Sequence, residues 1–251
     1  MPLPPHLRVF LYKAFGVLYG VNFDEVKVKD LNSFRTWNQF FTRELDEAAR
    51  IVDNPADDKT LVSPCDGKIL RIGEVATPEA TIDCVKGHAY GLDELLFGYK
   101  KQAKDGKRTT TERMVDAARS RKNKIMFMVL YLSPKDYHRF HSPASFTASY
   151  RRHITGYLAS VDPRYVKSHR DVYKSNERVN VLGDWAHGFL AISLVGALNV
   201  GSIKLHFDES LRTNVSSPKA PYVSDKNYSV LSEADGTFWK YPVRRKSKGI
   251  D

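Results

Sequence analysis

The sequence predicts an α+β protein in which N-terminal amphipathic helices pack on a mainly antiparallel β core. Apolar residues recur at helical spacing near the N-terminus, and after Asn54-Pro55 short apolar strands alternate with turn residues. The 251 residues are 42% hydrophobic, which is enough for a buried core. We therefore divide the chain into a helical segment, 1–50, and a β-rich domain, 51–251, which carries a basic insertion at 99–124.

The N-terminal segment contains two predicted helices. The first places its apolar residues on one face, with Arg8 and Lys13 outside it: Leu7, Phe10, Leu11, Ala14 and Leu18. The second has its apolar residues within the run 33–45: Phe34, Trp37, Phe40, Phe41 and Leu45. For the first helix, packing on the core and lying in a membrane interface with the apolar face in lipid are equally supported. We interpret residues 1–50 as membrane-associating and keep core packing as the alternative.

Six segments of the second domain are predicted as strands, because apolar and β-branched residues are concentrated between turn residues. They are 61–64, 68–75, 125–132, 177–183, 188–196 and 202–208. The glycines between 195 and 202 indicate a tight bend that joins the last two strands. The insertion is poor in apolar residues and is predicted to be a loop with some helix.

The formal net charge is +10, and most of the excess lies in two polar segments. Residues 100–124 hold ten Lys or Arg against three acidic residues, and a second basic cluster lies at 240–248. A solvated loop and tail are favoured over contact with an anionic surface of lipid or nucleic acid. No RNA-recognition, helix-turn-helix or zinc-finger pattern occurs, so nucleic-acid binding is the weakest hypothesis. No apolar run approaches the roughly 20 residues that span a bilayer.

The loop 133–143 follows the most apolar predicted strand and holds His138 and His141 between Pro134 and Pro143. Three residues apart, the imidazoles share a face if the loop makes a helical turn. Histidine exchanges protons near neutral pH, which suits acid–base catalysis. A pair of ordinary hydrogen-bonded histidines fits the spacing equally well. A metal site is not favoured, because neither an HExxH pattern nor a further ligand cluster accompanies the pair.

Asp66-Gly67 admits two interpretations. It is a favoured hairpin turn between strands, or Asp66 orients a histidine in a nucleophile–His–Asp relay. No GxSxG nucleophile elbow exists, and Ser133, Ser142 and Ser202 are better explained as structural. The residues alone therefore offer an acid and a base without a serine.

Six blocks, in order along nearly the whole chain, resemble the phosphatidylserine decarboxylase family, and 183–214 is most similar to its eukaryotic mitochondrial branch. The blocks are Phe40-Phe41-Thr42-Arg43, Ser63-Pro64-Cys65-Asp66-Gly67, Val85-Lys86-Gly87 with Tyr90-Gly91-Leu92, Asp136-Tyr137-His138-Arg139-Phe140-His141, Asn176-Glu177-Arg178-Val179, and Val195-Gly196-Ala197 with Val200-Gly201-Ser202.

The resemblance implies a proenzyme that cuts itself before the serine of a Gly-Ser-Thr motif and leaves a pyruvoyl group on a new α-chain. By the family pattern His141 activates that serine, Asp66 orients His141, and His138 positions the substrate carboxylate or handles protons. The pyruvoyl group is then the electron sink for conversion of phosphatidylserine to phosphatidylethanolamine and carbon dioxide. No metal and no nucleic acid is implied.

The sequence contains no Gly-Ser-Thr, although Lys248-Gly249-Ile250-Asp251 matches the approach to that motif. We therefore expect the pyruvoyl-bearing serine to lie beyond Asp251, and no residue of this chain to carry the cofactor. The chain resembles an incomplete β-chain that alone neither processes itself nor decarboxylates. A non-catalytic lipid-binding scaffold is the alternative.

The expected partners are phosphatidylserine, a membrane surface and the pyruvoyl-bearing α-chain, and a homo-oligomer is left open. The resemblance places the protein at the mitochondrial inner membrane, bound peripherally or anchored by a segment outside this chain.

Overall fold

The computed structural model describes residues 2–75, 81–85, 88–98, 110–198, 200, 202–215 and 223–228. Its helices are α1 (Pro5–Tyr19), α2 (Trp37–Phe41), α3 (Leu92–Phe97), α4 (Thr110–Ser120), α5 (Pro163–Ser168) and α6 (Val172–Ser175). Its strands are β1 (Lys68–Glu74), β2 (Thr81–Val85), β3 (His88–Gly91), β4 (Met126–Tyr131), β5 (Phe146–Ile154), β6 (Arg178–Trp185), β7 (Gly188–Val195) and β8 (Val223–Asn227). The predicted α+β class is confirmed.

All strand pairs in the described residues are antiparallel. The largest sheet has the order β7-β6-β5-β8, and two smaller sheets pair β1 with β4 and β2 with β3. In the large sheet, β5 runs against β6 from Phe146↔Trp185 to Ile154↔Arg178. Apolar clusters lie against this sheet, one of which includes residues from α3 to α6 and another from the segment 202–215. The core is therefore centred on β5 and β6.

The N-terminal residues form an apolar cluster of their own around α1 and α2. Its buried members are Tyr12, Val26, Leu31, Phe34 and Phe40. Gly16 of α1 allows the closest approach, since a Cβ there would lie 2.2 Å from the ring of Phe23. The cluster lies within the proposed segment 1–50.

Helix α1 has two apolar faces, and the face that we predicted from the sequence is the outer one. Phe10 is 69% exposed and Leu18 is 75% exposed, and Val17 beside them is 86% exposed. The inner face instead uses Tyr12, which is fully buried. No helix in the described residues is both long enough and apolar enough to cross a bilayer.

The predicted second helix is real but shorter than expected. A capping box between Thr36 and Gln39 starts α2, and the helix ends at Phe41. The prediction that it continues to Leu45 is wrong, because Leu45 forms an isolated antiparallel bridge with Val26.

Four predicted strands, 68–75, 125–132, 177–183 and 188–196, are confirmed as β1, β4, β6 and β7, with each end within two residues of the prediction. The predictions at 61–64 and 202–208 are wrong, because neither segment pairs as a strand. Ile203 and Leu205 are buried against the sheet from an irregular segment, so their apolar character reflects packing and not strand pairing.

Several predicted features fall wholly or partly outside the described residues. The helical part of the predicted insertion is α4, whereas residues 99–109 of the insertion and positions 199 and 201 of the predicted bend are not described. The basic cluster at 240–248 and the approach to the cleavage motif, which runs from Lys248 to Asp251, also lie outside the described residues. The expectation that the pyruvoyl-bearing serine lies beyond Asp251 is therefore not tested by the structure and stays a prediction.

Candidate active site

The histidine loop, residues 133–143, begins where β4 ends and lies beside the loop that carries Asp66. The backbone amide of His141 donates to the carbonyl oxygen of Pro64 at 2.7 Å, and the amide of Val62 donates to Pro143 at 2.9 Å. Gly67 has a φ of +135°, and a Cβ there would lie 2.2 Å from the carbonyl oxygen of Tyr131 at the end of β4. Glycine is therefore required where the two loops meet.

This arrangement corrects the hairpin interpretation of Asp66-Gly67. In the described residues 2–65 no strand precedes the dipeptide, which leads into β1, and β1 pairs with β4 from Lys68↔Tyr131 onward. The pairing brings the Asp66 loop to the same end of the sheet as the histidine loop. Asp66, His138 and His141 are thus carried by two adjacent loops.

The histidine loop is shaped by Asp136. The backbone amide and the hydroxyl of Ser133 donate to Asp136 Oδ2 at 2.6 and 2.7 Å, and the amide of Asp136 donates to the carbonyl of Ser133 at 2.9 Å. This turn spans 134–136, and residues 137–142 are not helical. The helical turn that would place both histidines on one face is therefore not formed.

His138 has a defined tautomer. Its Nδ1 lies 2.8 Å from the carbonyl oxygen of Asp136, and a carbonyl only accepts, so Nδ1 carries the proton and Nε2 is the basic nitrogen. The ring packs on Phe41 with a centroid distance of 3.9 Å. Burial lowers the pKa of His138, and the charge of Arg43 lowers it further, although the carbonyl of Asp136 acts in the opposite direction. His138 is consequently a neutral base near neutral pH.

His141 is held through both its backbone and its ring. Its Nε2 lies 3.0 Å from the hydroxyl of Tyr137. The two rings are nearly parallel, with an interplanar angle of 17° and centroids 5.7 Å apart. Tyr137 is buried, whereas His141 is partly accessible. The sequence interpretation missed Tyr137, although it stands within the same motif.

The carboxylate of Asp66 is paired with Arg50. The Nε and Nη2 atoms of Arg50 donate to it at distances between 2.7 and 3.1 Å, and Nη2 also reaches Glu25 at 2.9 Å. The hydrogen bond to Asp66 raises the pKa of Arg50, so this cation is permanent. Arg50 was not anticipated from the sequence, because sixteen residues separate it from Asp66.

Two arginines join the histidine loop to the segment that follows α2. Arg139 donates to the carbonyl of Thr42 at 2.7 Å and to Glu44 at 2.9 Å. In the reverse direction, buried Arg43 donates to the carbonyl of Lys135 at 3.2 Å. Among the described residues, Nε and Nη1 of Arg43 have no hydrogen-bond partner. The N-terminal segment is therefore part of the framework of the site.

The loops border a cavity of about 2690 Å³. Tyr137, His138 and His141 line it, together with residues 63–65 and all of β4 and β7. Asp66 is not among the lining residues. Within the described ranges, no three or more His, Cys, Asp or Glu side chains are grouped as metal ligands. The arrangement places proton acceptors on the wall of a largely apolar cavity, which the charged residues Arg50, Glu44 and Arg139 also line.

Comparisons with known proteins agree with the sequence motifs. The model of the phosphatidylserine decarboxylase family matches residues 37–222. The chain is 38% identical over 242 residues to a mitochondrial phosphatidylserine decarboxylase proenzyme of Rattus norvegicus, an alignment that covers 92% of this chain and 55% of the relative. It is 38% identical to proenzyme 1 of Oryza sativa, covering 84% of the chain and 53% of the relative. It is 35% identical to the mitochondrial phosphatidylserine decarboxylase proenzyme of Caenorhabditis elegans, and that alignment covers 88% of this chain and 56% of the relative.

The chain spans about half the length of the curated relatives that it matches. The family match covers most of the chain and includes the Asp66 loop and the histidine loop. The chain belongs to the phosphatidylserine decarboxylase family, whose members are carboxy-lyases.

Proposed function

We propose that this chain supplies the acid–base residues of a pyruvoyl-dependent phosphatidylserine decarboxylase that forms by serine-type self-cleavage. One observation carries the proposal: the Asp66 loop and the histidine loop are hydrogen-bonded to each other beside a cavity that both histidines line. The family match and the proenzyme names of the relatives support the same function.

In self-cleavage, His141 accepts the proton of the serine hydroxyl as the serine oxygen attacks the preceding carbonyl carbon. Asp66 is the proposed orienting acid. Its ion pair with Arg50 favours the ionised carboxylate, which is the form that accepts a hydrogen bond from an imidazole N–H. The serine is not supplied by a Gly-Ser-Thr motif in these 251 residues. We therefore expect it beyond Asp251, on the pyruvoyl-bearing α-chain, and we expect the 251 residues alone to be inactive.

In decarboxylation, the pyruvoyl group supplies a carbonyl that accepts the electrons released with carbon dioxide. The cavity wall suits such a carbonyl group, because the histidine nitrogens and the Tyr137 hydroxyl can exchange hydrogen bonds with it there. His138 accepts and returns a proton at Nε2. Its lowered pKa favours this role over binding the substrate carboxylate, which requires the cationic ring.

The exposed face of α1 supports membrane association of residues 1–50, with 51–251 as the catalytic domain. Exposed apolar residues in this helix can enter the lipid interface while the inner face stays in the N-terminal cluster. Such a position would bring the site to its lipid substrate. The relatives are named mitochondrial, which supports a mitochondrial location, and within that organelle the proposed place is the inner membrane.

The test joins the chain, after Asp251, to the part of the Rattus norvegicus relative that follows the aligned region, with a Gly-Ser-Thr sequence present at the start of the added segment. We expect this extended chain to cleave itself and to form phosphatidylethanolamine from phosphatidylserine vesicles, whereas the 251 residues alone do neither. His141→Ala should block cleavage, and His138→Ala should permit cleavage but block decarboxylation. His169→Ala, an exposed histidine stacked on Tyr165, is the matched control.

Vesicle binding without cleavage of the extended chain would contradict the proposal and support a non-catalytic lipid-binding scaffold. Loss of vesicle binding on addition of single-stranded RNA would instead favour a nucleic-acid-binding protein. Cleavage that survives His141→Ala would remove that residue from the proposed role.

A further inference from the structure

We propose that Tyr137 is a positioning residue that selects the tautomer of His141. Its hydroxyl donates to Nε2 of His141, so that the ring proton resides on Nδ1 and Nε2 is the basic nitrogen. The tautomer is inferred from the geometry of Tyr137 and His141, whereas its role in self-cleavage rests on the proposed function.

Both Tyr137 and His141 are held in place by their surroundings. The hydroxyl oxygen of Tyr137 is 3.0 Å from Nε2 of His141, and the rings are nearly parallel. Tyr137 is 7% exposed, so its ring has little freedom to leave. The neighbouring residues are fixed as well: Asp136 closes the preceding turn, and the backbone of His141 is bonded to Pro64.

The direction of the hydrogen bond follows from the two groups. A neutral imidazole nitrogen is a much stronger base than a phenol oxygen, and the phenol O–H is the more acidic donor. The arrangement in which Tyr137 donates and Nε2 accepts is therefore favoured over its reverse. The proton of the neutral ring is then on Nδ1, from which the ring can donate to an orienting acid.

This tautomer is the one that serine activation requires if the acid binds at Nδ1. Before cleavage, Tyr137 occupies the acceptor site of Nε2. During cleavage the Tyr137 ring keeps its place while its O–H turns away from Nε2, the serine hydroxyl donates there instead, and the serine proton passes to Nε2 while the tyrosine keeps its own. Nδ1 of His138 also carries a proton, so both histidines present Nε2 as the basic nitrogen.

The test is nitrogen-15 NMR of the 251-residue chain labelled at histidine, with His141 assigned through His141→Gln. In the wild type, the His141 nitrogens should report the tautomer protonated at Nδ1. Tyr137→Phe keeps the ring stack but removes the hydroxyl, so the population should move toward the tautomer protonated at Nε2. Tyr157→Phe, at a residue that is 66% exposed, should leave the spectrum unchanged.

A wild-type His141 protonated at Nε2, or a spectrum unaffected by Tyr137→Phe, would overturn the proposal. In the extended chain, Tyr137→Phe should slow self-cleavage about tenfold, the effect of one neutral hydrogen bond, and should shift its pH profile. An extended chain that never cleaves would defeat the proposed function alone, because the tautomer measurement is made on the 251 residues.

Discussion

Arg43 is the residue whose environment most needs an explanation. Its side chain is 3% exposed, yet only one of its three nitrogens has a hydrogen-bond partner in the described residues. A buried guanidinium with unpaired N–H groups costs free energy, so native proteins keep such groups for a reason. Burial lowers the pKa of Arg43, while the carboxylates of Asp66 and Asp136 raise it. Its charge also acts on His138, which gives this cation a role in the site.

We expect Arg43→Met to raise the pKa of His138. The substitution removes a positive charge that disfavours the imidazolium, and it leaves Asp66 and Asp136, which favour it. The pKa is measured by following the His138 ring during an NMR titration. Arg164→Met, at a side chain that is 93% exposed, is the control. An unchanged or lower pKa of His138 in Arg43→Met would show that the charge of Arg43 does not lower it.

For single residues, the sequence identified the reactive side chains but not the residues that form hydrogen bonds and ion pairs with them. His138, His141 and Asp66 were found because their residue types and family blocks stand out. Their partners are determined by folding: Arg50 reaches Asp66 across sixteen residues, and Arg139 reaches Thr42 across ninety-seven. Spacing along the chain carries no information about such contacts. Tyr137 is the exception, since it lies four residues before His141.

At the scale of elements, α1 packs on the N-terminal cluster with one face, as the core-packing interpretation expects, while the membrane-interface interpretation stays a prediction for the other face. Tyr12 and Phe15 belong to the inner cluster, whereas Phe10, Val17 and Leu18 face outward. A helix that is apolar on two sides needs two apolar environments, and the described residues supply only one of them. The outer face therefore predicts a binding surface.

We expect the double variant Phe10→Ser, Leu18→Ser to bind phosphatidylserine vesicles at least tenfold more weakly. Burying each such side chain in an apolar environment contributes roughly 1.5–3 kcal/mol, and the folded chain loses little because both are exposed. Vesicle pelleting measures the change. The control is Tyr157→Ser, Val215→Ser, two exposed apolar residues elsewhere. Equal loss in both variants would indicate non-specific apolar binding and not a surface on α1.

Strand β5 was not predicted because polar residues occupy some of its buried positions. β5 pairs with both β6 and β8, yet it was not predicted. Its inward positions include Arg151 and His153, which are buried because they pair with Asp208 and Glu177. These polar residues, with Arg152 between them, interrupt the concentration of apolar and β-branched residues by which the segments of β1, β4, β6 and β7 were predicted. The partners that make their burial possible become visible only in the folded chain.

For the whole molecule, the carboxylate of Asp208 ties the irregular segment 202–215 to the large sheet. It accepts from Arg151 of β5 at 3.1 Å, from Lys226 of β8 at 2.7 Å and from the hydroxyl of Tyr228 at 2.8 Å. Its side chain is fully buried. The apolar residues Ile203, Leu205 and Leu211 are thereby held against the sheet. The sequence predicted the α+β class and the family. It did not predict the link from Asp208 to the sheet, because that link requires β5 and β8 to lie side by side in the folded chain.

The Asp208 network predicts a defined dependence of stability on substitution and pH. We expect Asp208→Asn to lower the free energy of unfolding by about 3–5 kcal/mol near neutral pH, because it leaves buried Arg151 without its counter-charge. The matched control is Asp225→Asn, which removes the carboxylate that pairs with the adjacent Arg152. Asp225 is 40% exposed, so its pair should contribute no more than about 1 kcal/mol. Urea denaturation measures both changes.

The pH dependence of the free energy of unfolding distinguishes the contribution of the Asp208 charge from that of its packing. Burial raises the pKa of Asp208, but the hydrogen bonds from Lys226, Ser210, Tyr228 and Arg151 together outweigh it and hold that pKa far below its ordinary value. As the pH falls from about 5, the unfolded chain takes up a proton at this position that the folded chain does not, so the wild type loses stability. Asp208→Asn has no such proton to bind. The difference between the two proteins should therefore shrink in acid, and a difference that stays constant would mean that the network acts through packing and not through charge.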